Sequence, residues 1–207
     1  MSELKVNKVS PSTGTAFTLG DSGDTFTVPS GATITNSGTA TGFGGGKMGQ
    51  VVQTVVSDTT SQAAGGGTTF YDVAGMTVTI TPAAASSKIL VFVTMEIGSS
   101  NNWGATAKMM ANVDGGAFAD TFIGDTRGNR LRGMFALYEG GTYDQVNYAF
   151  QGLHTPSYTL TDDLIYKMQW AVPEAGNTLY LNRDSNNADT TYMSSTCSTI
   201  TAIEVLA

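Results

Sequence analysis

Between residues 48 and 207 the apolar positions recur with a period of two. Over residues 89–97, Ile89, Val91, Val93, Met95 and Ile97 take one side, and Leu90, Phe92, Thr94 and Glu96 take the other. Over residues 166–170, Tyr166, Met168 and Trp170 share a face opposed by Lys167 and Gln169. Such alternation is the mark of strands buried on one face. The same alternation, or an enrichment in β-branched and aromatic residues, marks GQVVQTVVSDTT, TFYDV, MTVTITP, ATAKMMANVD, AFADTFIG, RLRGMFALYE, YDQVNYAFQGLH, LTDDLIYKMQWAVP, NTLYLNRD and TYMSSTCSTITAIEVLA. Turn residues separate these runs, as at Asp114-Gly115-Gly116 and Glu139-Gly140-Gly141. No run has the spacing of an amphipathic helix. About ten strands in roughly 160 residues predict a two-sheet β-sandwich, and a jelly roll fits best. A unit of this size buries enough surface to fold alone.

The first 48 residues follow a different rule. They contain 9 Gly, 9 Thr and 6 Ser, half of the segment. Short lines repeat every seven to nine residues: Phe17 to Leu19, Phe26 to Val28, Thr33 to Thr35, and Thr41 to Phe43. Each ends in a turn with Gly: Gly20 to Gly23, Pro29 to Gly31, Asn36 to Gly38, and Gly44 to Gly46. This is a small internal repeat of very short strands. One copy offers only one or two apolar side chains per line, against roughly 1–2 kcal/mol of backbone entropy per ordered residue. Three copies around one axis would share an interior of Phe17, Phe26, Ile34 and Phe43. Those four residues are therefore the expected stalk core or docking residues. The predicted domains are 1–48, a stalk or docking arm, and 49–207, a β-sandwich.

Composition narrows the function. Charged residues make up 13% of the chain, about half the share of an ordinary soluble domain (roughly 25%). The net charge of −7 argues against nucleic acid, which needs a clustered positive face. No run approaches the roughly 18 apolar residues of a membrane span, so no membrane insertion is expected. MSELKVNKVS has no apolar leader, and synthesis in a cytoplasm without an export signal is expected. The single cysteine, Cys197, excludes an intrachain disulfide. Its strand-like neighbours predict a buried, inert thiol.

Candidate chemistry is sparse, and neither an enzyme nor a cofactor is expected. His154 is the only histidine, lies just before Pro156, and has no G-x-S-x-G partner motif. A polar surface residue is the expectation. Asp162 and Asp163 are adjacent, so on a strand they point to opposite faces and make a poor glycosidase pair. Residues 184–189 are rich in Asp and Asn but lack the calcium-loop spacing and its later Glu. An Asn/Asp turn is expected there, and no metal site. Two clusters remain as surface or partner contacts. Arg127, Arg130 and Arg132 form the densest positive patch in a cation-poor chain. Arginine forks suit carboxylates and phosphates, so the patch could hold an acidic neighbour or an anionic glycan, or be a solvated hairpin. Asn101, Asn102 and Trp103 place an indole in a polar loop. There it could stack on a sugar ring or tuck against the sandwich edge. Tyr138, Tyr143, Tyr148, Tyr158 and Tyr166 suit a core or a trimer interface equally.

The run LKVNKVSPSTGTAFTLGDSGDTFTVPSGATITNSGTATGFGGG resembles the opening of virion fibre proteins of tailed phages, marine ones especially. GQVVQTV, TPAAASSKILVFVTMEI and the closing STITAIEVLA are also similar to such proteins. The resemblance covers residues 1–58, 76–98 and 196–207 and does not extend over 99–195. It implies a homotrimeric phage structural protein in the virion, assembled in the host cytoplasm. An N-terminal segment would meet other virion proteins or form a shaft, and a C-terminal β-sandwich would form a host-attachment knob. It supplies no catalytic residues. The length of 207 residues speaks against a long tail fibre and leaves a short fibre, a head fibre or a capsid decoration or cement protein. A glycan-cleaving tailspike is a further alternative, lacking converging carboxylates and a long β-helix.

Overall fold

The fold was obtained as a computed structural model that describes residues 9–35, 48–100, 104–138, 141 and 143–206. The chain divides into two compact units, Met1–Gly45 and Gly46–Ala207. The boundary falls inside the Gly44–Gly46 run.

All strands among the described residues lie in the second unit: β1 (Met48–Val56), β2 (Thr60–Ala63), β3 (Tyr71–Ile80), β4 (Lys88–Ser99), β5 (Ala105–Val113), β6 (Ala119–Thr121), β7 (Phe135–Leu137), β8 (Gln145–His154), β9 (Leu164–Ala171), β10 (Thr178–Leu181) and β11 (Ser198–Val205). No helix occurs among the described residues. The strands form two antiparallel sheets, a β-sandwich. In the first, β8 pairs with β4 along its whole length. The other edge of β4 is shared end to end by β11, opposite Lys88–Thr94, and β10, opposite Ile97–Ser99. Beyond them β1 pairs with β11 and β2 with β10. In the second sheet the order is β3, β9, β5, and then β6 and β7, again end to end on one edge of β5.

Three ranks are thus strands interrupted once. Residues 57–59 separate β1 from β2, residues 122–134 separate β6 from β7, and residues 182–197 separate β10 from β11. The two long excursions leave their sheets in the same way. Each begins on a non-glycine residue in the left-handed region, Phe122 (φ 55°) or Asn182 (φ 61°), a conformation few such residues adopt. The chain turns sharply off the strand there.

Alternation puts the core between the sheets, as the sequence predicts for both diagnostic runs. Ile89, Val91, Val93, Met95 and Ile97 of β4 and Tyr166, Met168 and Trp170 of β9 are all fully buried. Met76, Ile80, Met109, Leu164, Leu179, Leu181 and Ile200 complete the same cluster. The sequence suggests two strands in 69–82, but the structure has one, β3. Its register against β9 shifts between Asp72 and Thr77, where Gly75 takes φ 79°. A glycine supplies the positive φ that lets a bulge form without ending the strand.

Two buried polar groups hold the interrupted ranks. Asn182 Nδ2 donates to the Val56 and Asp58 carbonyls at 2.7 and 2.9 Å, and its Oδ1 accepts from Ser198 Oγ at 2.6 Å. This one side chain therefore ties the end of β10 to β1 and to the start of β11. The Glu204 carboxylate on β11 accepts from the Ala83 and Ala84 amides at 2.9 and 3.1 Å, fixing the β3–β4 turn.

In the first unit, residues 9–35 contain no strand, contrary to the predicted strand-and-turn repeat. Of the four predicted turns, those at 36–38 and 44–46 lie outside the described residues. The other two form where expected: Asp24 N donates to Asp21 O at 3.0 Å, and Ala32 N to Pro29 O at 3.1 Å. Between them a single chain has no neighbour to complete a ladder. Phe43 lies outside the described residues.

Candidate functional site

The excursion of residues 122–134 is built as a neck and a tip. At the neck, Gly124 N donates to Gly133 O at 3.1 Å and Met134 N to Ala107 O at 2.8 Å. Gly133 sits so close to β5 that a Cβ there would lie 2.2 Å from Thr106 Cγ2 and 2.6 Å from Ala107 O. A side chain at this position would force the neck off the sheet. At its root Phe122 packs on Phe150, ring centroids 5.3 Å apart, and meets the His154 ring at 5.9 Å. At the tip Arg130 N donates to Arg127 O at 3.2 Å, and Gly128 takes φ 55°.

This geometry brings the three predicted arginines together. Arg127, Arg130 and Arg132 are exposed and line one hollow of about 570 Å³ with Thr106, Thr126 and Phe135. Arg132 is anchored, with Nε donating to Gly124 O at 2.7 Å. No ion pair holds any of the three among the described residues. Three of the other four described cations are engaged, exposed Lys88 being the exception. Lys108 bonds Asp120 at 2.7 Å and lies over the Phe70 ring, and Lys167 bonds Asp72 at 2.8 Å and lies over Phe118. Arg183 stacks on Tyr180. The RLRGMFALYE run was expected as strand, but only Phe135–Leu137 pairs with β5. The arginines instead belong to the excursion.

A second hollow of about 380 Å³ opens beside the end of β8, lined by Asn112, Asp120, Thr121, His154, Pro156 and Tyr166 among others. His154 is not the surface residue the sequence suggests. It ends β8 on the core-facing side and is half-buried, with Nδ1 2.9 Å from the Tyr166 hydroxyl and the two rings edge to face. Burial holds the imidazole below its ordinary pKa. Burial, with the nearby Tyr158, raises that of the Tyr166 phenol. Both groups are therefore neutral near pH 7, and the pair fixes the turn after β8 without carrying charge.

The remaining sequence candidates are structural. Asp162 precedes β9 and accepts from Thr159 N and Oγ1, both at 2.8 Å. Asp163 accepts from Thr81 Oγ1. Asp184 is buried, and its Oδ1 accepts from the Asn186 and Asn187 amides at 2.6 and 2.9 Å, the Asn/Asp turn expected of this run. No group of three His, Cys, Asp or Glu side chains is placed to hold a metal among the described residues. Cys197 corrects the expectation of a buried thiol: it is exposed, because β11 starts one residue later, at Ser198. Asn101, Asn102 and Trp103 lie outside the described residues.

Among the described residues of the first unit the large apolar side chains stand in solvent. Phe17 is 50% exposed, Leu19 67%, Phe26 68% and Ile34 48%. The chain matches no known family model and no curated protein.

Proposed function

We propose that the chain is a non-enzymatic structural protein of a phage particle: a short homotrimeric fibre whose first 48 residues form a stalk or docking arm. Residues 49–207 form a knob that meets the host surface. The observation that carries this reading is the exposure of Phe17, Leu19, Phe26 and Ile34 along a repeat in a single chain. A regularly spaced apolar row left in water marks an interaction surface. Sister copies would bury it and supply the ladder partners that one chain lacks. The phage fibre motif carried by the same residues agrees with this.

We read the sandwich as a jelly roll. Counting each interrupted rank as one strand, the first rank (β1–β2) pairs with the last (β10–β11), and β3 pairs with β9. Likewise β4 pairs with β8, and β5 with the β6–β7 rank. That nesting is a long hairpin folded over itself, the jelly-roll plan. The non-enzymatic reading draws support from His154, whose Nδ1 is committed to a buried phenol rather than to a nucleophile.

A capsid decoration or cement role is the second reading. It is favoured by the absence of strands in residues 9–35, as in an arm that lies along another protein. Two measurements separate the readings. Purified protein added to host cells ahead of the phage should reduce adsorption if the knob meets a receptor. Cement protein should leave adsorption unchanged and raise the temperature at which particles lacking it release their genome. A protein that does neither is not the virion component proposed.

A further inference from the structure

We propose that the hollow under the 122–134 excursion binds an anionic saccharide, its carboxylate or phosphate gripped by Arg127, Arg130 and Arg132. The host-recognition setting rests on the fibre reading above, but the chemistry stands on the hollow itself.

Charge gives the first reason. Lys and Arg number 10 in the chain against 17 Asp and Glu. Carboxylates are thus in surplus, and the described cations Lys108 and Lys167 have each found one. Three arginines nonetheless gather within six residues without an ion pair among the described residues, in a hollow where Asp125 is the one carboxylate in the lining. Like charges held together repel. The arrangement becomes favourable when an anion enters between them.

Construction gives the second. The neck at Gly124 and Gly133 and the Arg132–Gly124 bond fix the base of the excursion, so the site is preorganised rather than a free loop. Shape and lining give the third and select a saccharide over an acidic protein. The concave space of about 570 Å³ has hydroxyl groups from Thr106 and Thr126, and Leu131, Met134 and Phe135 form an apolar floor. Phe135 is held in place by stacking on Tyr148, ring centroids 5.7 Å apart. Such a lining accepts a sugar ring, with hydroxyls on the threonines and Asp125 and a C–H face on the floor. A protein's acidic patch would meet the arginine tips and leave the floor empty.

The test is binding of the full chain to oligogalacturonate and to a mannose phosphate, with neutral dextran and polyglutamate as comparison probes. Binding to one of the two acidic sugars, weakening with added salt and about tenfold or more in the Arg127→Ser/Arg130→Ser variant, is expected. Neutral dextran should not bind, and the probe that does distinguishes carboxylate from phosphate. The two side chains are exposed and hold no other group among the described residues, so the variant should melt like the wild type. If it does not, Arg127→Lys/Arg130→Lys keeps the charge, removes the forks, and should also weaken binding. No binding to either acidic sugar at millimolar concentration overturns the proposal. So does binding unchanged in both variants, or binding to polyglutamate alone, which would reassign the patch to an acidic protein neighbour. None of these outcomes alters the subunit count, so failure here is separable from failure of the fibre reading.

Discussion

Asn182 should be among the costliest single side chains to remove from the sandwich. It is fully buried, and at φ 61° it begins the excursion that interrupts the β10–β11 rank. Substitution Asn182→Ala removes the donors to the Val56 and Asp58 carbonyls and the acceptor of the Ser198 hydroxyl. Asp58 is exposed and can turn to water. The Val56 carbonyl and the Ser198 hydroxyl sit on buried residues, and a buried group left without a partner costs about 1–3 kcal/mol. Ser198 Oγ still accepts from Glu96 N at 3.0 Å, so its share falls at the low end. Alanine in the left-handed region adds about 1–2 kcal/mol. The sum is about 3–6 kcal/mol, a large part of the 5–15 kcal/mol typical of a domain. Urea unfolding at one fixed protein concentration reads the loss as a lower midpoint with an unchanged slope. Asn182→Gly loses the same hydrogen bonds but relieves the backbone strain, so it should cost about 1 kcal/mol less than alanine. An alanine variant within about 1 kcal/mol of wild type would refute the view that this residue fastens the interrupted rank.

Two further substitutions probe the core and its pH response. Trp170 is buried, and its Nε1 has no hydrogen-bond partner among the described residues. Trp170→Phe removes that orphan donor along with part of the ring and should cost less than about 1.5 kcal/mol, whereas Trp170→Ala should cost about 3–5 kcal/mol. Equal losses in urea unfolding would show that the indole N–H is satisfied. His154 has a depressed folded-state pKa because of burial, so the unfolded chain takes up a proton first. Above the unfolded value, about 6.5, both states are neutral at this residue. As pH falls below that value and through the folded pKa, stability drops. The melting temperature should therefore fall between pH 7.5 and 5.5, and fall less in His154→Gln. Asp72, whose pKa is lowered by hydrogen bonds from Lys167 and Gln169, adds its own loss only at more acid pH. A fall equal in both proteins would place the titrating group elsewhere.

The strands with the strongest alternation were legible from residue order alone, because a sheet with one face in the core imposes a period of two on β4 and β9. What residue order could not show was where a rank breaks. RLRGMFALYE and TYMSSTCSTITAIEVLA both read as strand, yet only Phe135–Leu137 and Ser198–Val205 pair. The breaks depend on a left-handed Phe122, a residue type that gives no sign of such a turn, and on the tertiary bonds of Asn182, which its turn propensity alone does not reveal. Cys197 came out exposed for the same reason, since its strand begins one residue later. The arginine cluster was visible as a composition anomaly. Its hollow was not, because Thr106 and Phe135 reach it from β5 and β7. The contact of His154 with Tyr166 likewise joins β8 to β9 across a loop that gives no sign of it. The arm shows the opposite failure: its turns at residues 21–24 and 29–32 form as read, but residues 9–35 contain no strand.

The subunit count tests the central claim most directly. Light scattering of the purified full chain at micromolar concentration should give three times 21.5 kDa. Replacing Phe17, Phe26 and Ile34 by Ser should weaken that assembly. A wild-type mass of 21.5 kDa would contradict the free-standing trimeric fibre.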